Sequence, residues 1–151
     1  MQHIKAVLFV RLGAEEEERK FYAERATPEW LADLAPIGTD ADKGFLETAP
    51  WLIAVFRRMH DDRPGRASDK VYYPVESVGL AVGFLLAALH HAGLATLTHT
   101  PSPMAFLGTI LGRPAHERPF LLIPVGYAAD ACEVPAAAMQ RRPLSEVMVV
   151  V

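Results

Sequence analysis

The longest apolar stretch runs from Val75 to Ala92, directly after Pro74, with ionisable groups only near its ends, at Glu76 and at His90-His91. A helix that is apolar on nearly all faces belongs in a core, so this pattern predicts a buried helix opened by Glu76 and Ser77. At about 1.5 Å per residue it falls slightly short of a bilayer, which favours a core helix over a membrane span. Gly79, Gly83 and Ala87 recur every four residues on one stripe, spacing that lets a second helix backbone approach closely. That second helix can belong to the same chain or lie across a dimer axis, and both readings stay open.

Two unbroken apolar runs, Trp51–Phe56 and Phe120–Tyr127, predict buried strands. Ile4 to Leu12 fits a short strand or the first turns of a helix equally well. Glu15 to Arg25 favours a helix, with acids first and bases later to match the helix dipole. Thr27-Pro28 restarts a helix, Thr27 as N-cap and Pro28 as first helical residue, and this second helix ends by Pro36. Thr39 to Leu46 is a polar connector carrying Lys43. Arg57 to Lys70 is charged, contains Arg63-Pro64-Gly65 and predicts a mobile loop.

Between the long helix and the last strand lies Gly93-Leu-Ala-Thr-Leu-Thr-His-Thr-Pro101. Thr96, Thr98 and Thr100 alternate with other residues, so they share one face of a strand that stops at a proline. Closely spaced uncharged hydroxyls suit a polar planar ligand rather than a metal or a phosphate. Pro103 to Gly112 predicts a short helix with a glycine C-cap. Val134 to Pro143 is a polar arm carrying Arg141-Arg142, and the apolar tail Val147–Val151 needs a sheet to join, its own or a partner's.

Composition narrows the classes. The chain has 151 residues, enough for one domain with a real core, and 51% hydrophobic against 22% charged residues argues against disorder. The net charge of −3 excludes a basic nucleic-acid surface. One cysteine, Cys132, permits no internal disulfide and suits a reducing cytoplasm. The histidines lack metal-ligand spacing apart from the adjacent His90-His91, which read as partners for helix-end carbonyls. His116 and Glu117 likewise read as structural caps. The start shows no signal-cleavage pattern, so a soluble protein is expected.

The runs Thr48–Phe56, Gly93–Pro101, Leu111–Glu117, Pro124–Tyr127 and Arg141–Leu144, in this order, resemble the nitroreductase superfamily of FMN enzymes, most closely its iodotyrosine deiodinase branch. The match extends from about Glu15 to the C-terminus. It implies an α+β nitroreductase-like fold, a mixed sheet flanked by helices, with the long helix at a homodimer axis and FMN at the interface. It also implies that Glu18 and Tyr22, one turn apart, hold the ammonium of a halotyrosine while Lys43 meets its carboxylate, closing a lid over the ring. By the same resemblance Thr98, His99 and Thr100 lie beside the flavin, the Thr100 hydroxyl donates to the flavin N5, and Arg141 meets the FMN phosphate. Taken from residues alone, Glu18 and Tyr22 read as a solvated helix face and the threonines as β-formers.

The family's upstream Arg-Arg-Ser-type phosphate cluster and Pro-Ser-Gly-type loop have no counterpart, and residues 1–13 do not match the strand that precedes the lid. The resemblance therefore implies a single domain, 1–151, corresponding to the C-terminal portion of such an enzyme. The function expected is FMN-dependent reductive dehalogenation of a halotyrosine or related halophenol, with NAD(P)H as ultimate electron donor. The alternatives are a general nitroreductase or quinone reductase, and a noncatalytic dimerisation module.

Overall fold

In the computed structural model, residues 2–66 and 69–151 are described, with side chains from residue 6 onward, so residues 67 and 68 of the charged loop lie outside the described residues. The chain folds as α1 (Gln2–Glu24), α2 (Pro28–Leu34), α3 (Phe45–Thr48), β1 (Trp51–Arg58), α4 (Pro74–His91), β2 (Ala95–Thr96), α5 (Ala105–Ile110), β3 (Glu117–Gly126) and α6 (Leu144–Val147). The α+β class expected from the sequence holds. The sheet is not mixed, however: among the described residues its order is β1-β3-β2 and both pairings are antiparallel.

The unbroken apolar runs of β1 and β3 follow from burial on both sides. Successive strand residues point to opposite faces, and each face meets its own layer of helices. Leu122 packs with Val10 and Ala14 of α1, Leu46 of α3 and Leu107 of α5, joined by Leu52, Ala54 and Phe56 of β1. On the opposite face Leu121, Ile123 and Val125 pack with Val82 of α4, joined by Ile53 and Val55. The register Ile53↔Ile123 sets these two sets in phase, and a bulge between Val55 and Phe56 shifts it further along the pair. Gly126 has to be glycine, since a Cβ there would stand 2.8 Å from Pro50 Cδ.

The ambiguous segment from Ile4 to Leu12 is helical. It joins the glutamate-rich stretch without a break, so α1 spans 23 residues. Glycine normally weakens a helix interior, but Gly13 lies under the Phe106 ring, where a Cβ would sit 2.6 Å from Cδ2. That contact carries α5 across α1. Thr27 caps α2 as expected, its Oγ1 accepting from the Trp30 N–H at 3.2 Å.

The expectation of a helix buried on all faces fails for α4. Among its residues only Val82 is buried; Leu80 is 69% and Phe84 79% exposed. One face packs on the sheet through Val78, Val82, Leu85, Leu86 and Leu89. A helix on one side of a sheet meets it along one stripe only, and the rest of α4 is left uncovered by the described residues. Apart from the helix's own backbone, no atom of the described residues lies within 4 Å of a Cβ built on Gly79 or Gly83. By length and composition alone α4 also satisfies the requirements for crossing a membrane. The apolar tail joins no strand, and Val149 and Val150 stand in the open.

Gly13→Ala should destabilise the fold by roughly 1–2 kcal/mol, because overlap with the Phe106 ring outweighs the helix-propensity gain. Urea denaturation checks this, and a variant more stable than the parent would contradict the contact.

Candidate functional site

Arg11, Glu15, Glu18 and Tyr22 follow at steps of four, three and four residues, which places them on one stripe of α1. This stripe faces the connector between α2 and α3. The connector starts after a 3-10 turn, Ala35–Ile37, closed by Gly38 in the left-handed region at φ 67. Two aspartate turns then fix it, Asp40 Oδ1 accepting from the Asp42 N–H and Asp42 Oδ1 from the Gly44 N–H, both at 2.9 Å. The path delivers Lys43 into the interior at 3% exposure.

A buried ammonium needs partners. Lys43 Nζ donates to the Asp40 carbonyl and stands 3.9 Å from Glu18 Oε2, with the Tyr22 ring 6.0 Å away. Burial, and next the Glu18 carboxylate beside it, pushes the Tyr22 hydroxyl up to about 12. Tyr22 therefore stays protonated at any ordinary pH.

The opposite wall comes from the threonine segment. Its ladder to β3 keeps one register, Ala95↔Gly126, Thr96↔Val125 and His99↔Leu122, yet strand β2 covers only Ala95–Thr96. Pro124 explains the gap: opposite Leu97 it accepts that residue's N–H at 3.4 Å but has no N–H to return. The ladder resumes at His99, whose N–H and C=O pair with Leu122 at 2.9 and 3.0 Å. Beyond it, Arg25 at the end of α1 donates to the Ser102 carbonyl, tying this segment to the helix carrying Glu18.

Between these walls lies a cleft of about 760 Å³, lined by Glu18, Tyr22, Lys43, Thr98, His99 and Thr100 together with Trp30, Thr39 and Phe45. Six of the residues singled out in the sequence are thus brought together. The volume suits a small organic ligand. Thr98 and Thr100 are exposed on the cleft surface, whereas Thr96 faces a neighbouring hollow beside Pro50 and Tyr127. A row of hydroxyls from residue 96 to 100 extends roughly 13 Å at strand spacing, and Leu97 divides it between the two cavities.

Arg141 stands apart. Its Nη1 donates to the Ala138 and Gln140 carbonyls, each at 2.7 Å, and its side chain is exposed outside the cleft lining. The arm does reach the cleft, through Pro135 and Ala138.

His99 is 7% exposed, its Nε2 is buried with no hydrogen-bond partner, and the Phe45 ring meets it edge-on at 6.0 Å. Burial, and then the positive charge of Lys43, lowers its pKa to about 4. The imidazole is thereby held neutral, so the threonine side of the cleft, Thr98, His99 and Thr100, offers uncharged groups, facing the charged Glu18 and Lys43 side.

Sequence reasoning overlooked Glu15, which is buried and accepts both the Lys43 N–H at 3.1 Å and Arg11 Nη1 at 3.0 Å. The four-three-four spacing with Arg11, Glu18 and Tyr22 was the available signal, hidden among four consecutive glutamates.

The nitroreductase family model matches residues 2–127. This chain belongs to the nitroreductase family. Within the family its sequence sides with the iodotyrosine deiodinase branch. It is 57% identical over 141 residues to the iodotyrosine deiodinase of Haliscomenobacter hydrossis, covering 93% of this chain and 63% of that protein. It is 41% identical over 143 residues to human iodotyrosine deiodinase 1, covering 94% and 49%. A crystal structure of oxidized iodotyrosine deiodinase bound to FMN and 3-iodo-L-tyrosine superposes on the whole chain and on 71% of its own, with a TM-score of 0.74 at 28% identity. The nitroreductase chain described here thus spans 49–63% of the length of these two curated relatives.

Below its unfolded pKa near 6.5, a histidine held neutral in the fold takes up a proton on unfolding. His99 should therefore support the fold fully above its unfolded pKa near 6.5, and that support should fade as pH falls toward about 4. The expected loss between pH 7 and pH 4 is roughly 2–3 kcal/mol. Urea denaturation across this range should show a flatter profile for His99→Gln; equal slopes would contradict the neutral buried imidazole.

Proposed function

We propose that this chain carries the ring-binding and substrate-binding parts of an FMN-dependent oxidoreductase that removes halide reductively from a halotyrosine or a related halophenol. The observation behind this reading is the convergence of Glu18, Tyr22 and Lys43 with Thr98, His99 and Thr100 on one cleft. The solved deiodinase structure with FMN and 3-iodo-L-tyrosine supports it.

The residues present fit the flavin ring. Thr98 and Thr100 present exposed hydroxyls, beside a histidine kept uncharged, a donor set for a polar ring edge rather than for a metal or a phosphate. Thr100 would donate to the N5 edge and Thr98 would hold the adjoining ring. When bound, FMN supplies the reducing electrons, with NAD(P)H proposed as their ultimate source. Arg141 is the residue proposed for the phosphate, and it has to release the Ala138 and Gln140 carbonyls to serve.

The charged end of an amino-acid substrate fits the other wall. Its ammonium would enter between the Glu18 carboxylate and the Tyr22 oxygen, and its carboxylate would take Lys43, replacing the present 3.9 Å pair. Tyr22, held protonated, adds no second negative charge that would trap Lys43. Trp30 and Phe21, in edge contact at 4.9 Å, form an apolar shoulder that would exclude water from the ring.

The uncovered stripe of α4 supports a homodimer. Leu80 and Phe84 stand exposed beside Gly79 and Gly83, which leave a second helix room for close approach. Two copies so paired would cover an apolar face that a single chain leaves in water.

Titration should show FMN uptake at micromolar concentration, and Thr100→Ala should weaken it about fivefold, the value of one hydrogen bond. No uptake at tens of micromolar would contradict the reading. Glu18→Ala and Lys43→Ala should each raise KM for a halotyrosine roughly tenfold or more while leaving nitroaromatic turnover intact; equal losses on both substrates would favour a general nitroreductase. Phe84→Glu should convert a dimer to a monomer in light scattering, and an unchanged mass would remove α4 as the interface.

A further inference from the structure

Lys43 has its side-chain partner on α1, but what holds its main chain is a different residue of the same helix. Glu15 is 7% exposed, and its Oε1 accepts the Lys43 backbone N–H at 3.1 Å. The same oxygen accepts from Arg11 Nη1 at 3.0 Å, and Arg11 Nε donates to Glu47 Oε1 of α3 at 2.8 Å. These contacts form a chain: α3 to Arg11, Arg11 to Glu15, Glu15 to the peptide of Lys43.

Two features separate this cluster from an ordinary surface ion pair. Glu15 is buried, so its carboxylate depends on these donors and a substitution leaves the Lys43 N–H buried without an acceptor. Its main acceptor contact is also to a backbone atom rather than to the flexible end of a long side chain. A lysine has four rotatable side-chain bonds, and the ammonium is positioned only if the chain is anchored at its root as well as at its tip. Asp40 and Glu18 take the tip; Glu15 takes the root. Because Glu15 and Glu18 lie on one helical stripe, root and tip are fixed against the same rigid body.

We propose that Glu15 is a positioning residue: through the Lys43 peptide, backed by Arg11, it sets where the Lys43 ammonium stands to receive the carboxylate of an amino-acid substrate. Glu15 is not among the residues that line the cleft, so its effect on a ligand would pass through Lys43. The inference rests on the halotyrosine reading of the cleft for its ligand, though not for its geometry. Selection follows directly. A substrate with an amino-acid head uses Lys43 and so senses Glu15; a halophenol without that head does not.

The test uses the full chain with two substitutions. Glu15→Ala removes the acceptor, whereas Glu15→Gln keeps an amide oxygen for the Lys43 N–H and loses the charge facing Arg11. Hydrogen exchange of the Lys43 amide in the ligand-free protein reads the geometry alone: Glu15→Ala should speed it at least tenfold, and Glu15→Gln by less than threefold. With FMN present, dissociation constants for a halotyrosine and for a headless halophenol read the consequence. Glu15→Ala should weaken the halotyrosine at least tenfold and the halophenol less than twofold, with Glu15→Gln recovering most of the difference. If the parent protein binds no halotyrosine, the reading of the cleft fails and this inference fails with it. If the parent binds and Glu15→Ala binds equally, or loses both ligands equally, the positioning role alone is overturned. Should Glu15→Ala not fold, Glu15→Gln decides: unequal weakening of the two ligands by a factor below that of Lys43→Ala supports the role, and equal weakening overturns it.

Discussion

A buried ammonium group organises this molecule. Lys43 lies almost without solvent, and a charge in that position stays only where carboxylate and carbonyl groups surround it. Around the ammonium stand the Glu18 carboxylate of α1 and the Asp40 carbonyl of the connector, while Glu15, on the same α1 stripe, holds the lysine's backbone N–H. Holding one lysine at both its ammonium and its backbone therefore fixes three things together: the rotation of α1 about its own axis, the path of the connector, and, through Glu15, Arg11 and Glu47, the placement of α3. Turning α1 by one residue, about 100°, would remove both carboxylates at once and leave Val10 and Ala14 facing away from the core they complete.

Strand β3 supplies the complementary constraint. Its residues alternate between two hydrophobic layers, so it cannot slip by one position without exchanging them. Leu122, at its centre, packs under α1 through its side chain and pairs with His99 through its backbone. One residue thus places the threonine segment and α1 relative to each other. Proline at 124 opens the ladder between them, freeing Leu97 to separate two cavities.

Much of this was legible in the sequence, for physical reasons that can be named. Strands buried on both faces announce themselves as unbroken apolar runs, and Thr27-Pro28 states its own helix start. Residues 4–12 stayed ambiguous because a short apolar run satisfies both periods; the helix prevails by continuity with the glutamates, across a glycine that the Phe106 ring requires. For α4, hydrophobicity on all faces says only that the faces want cover. It does not say what provides it, and on the Leu80–Phe84 side the described residues do not. Glu15 looked like one acid among four because burial, not identity, distinguishes it. Arg141 was placed on a phosphate by resemblance, while in this structure its guanidinium caps its own turn.

Two walls distant in sequence, Glu18–Lys43 and Thr98–Thr100, are proposed to form a single binding site. Amide chemical-shift mapping of isotope-labelled protein tests it most directly, with FMN added first and a halotyrosine second. FMN is expected to shift Thr98, His99 and Thr100, and the halotyrosine then to shift Glu18, Tyr22 and Lys43 together with the same threonine segment. Shifts from the two ligands that fall on separate surfaces, or that leave Glu18, Tyr22 and Lys43 unmoved, would contradict it.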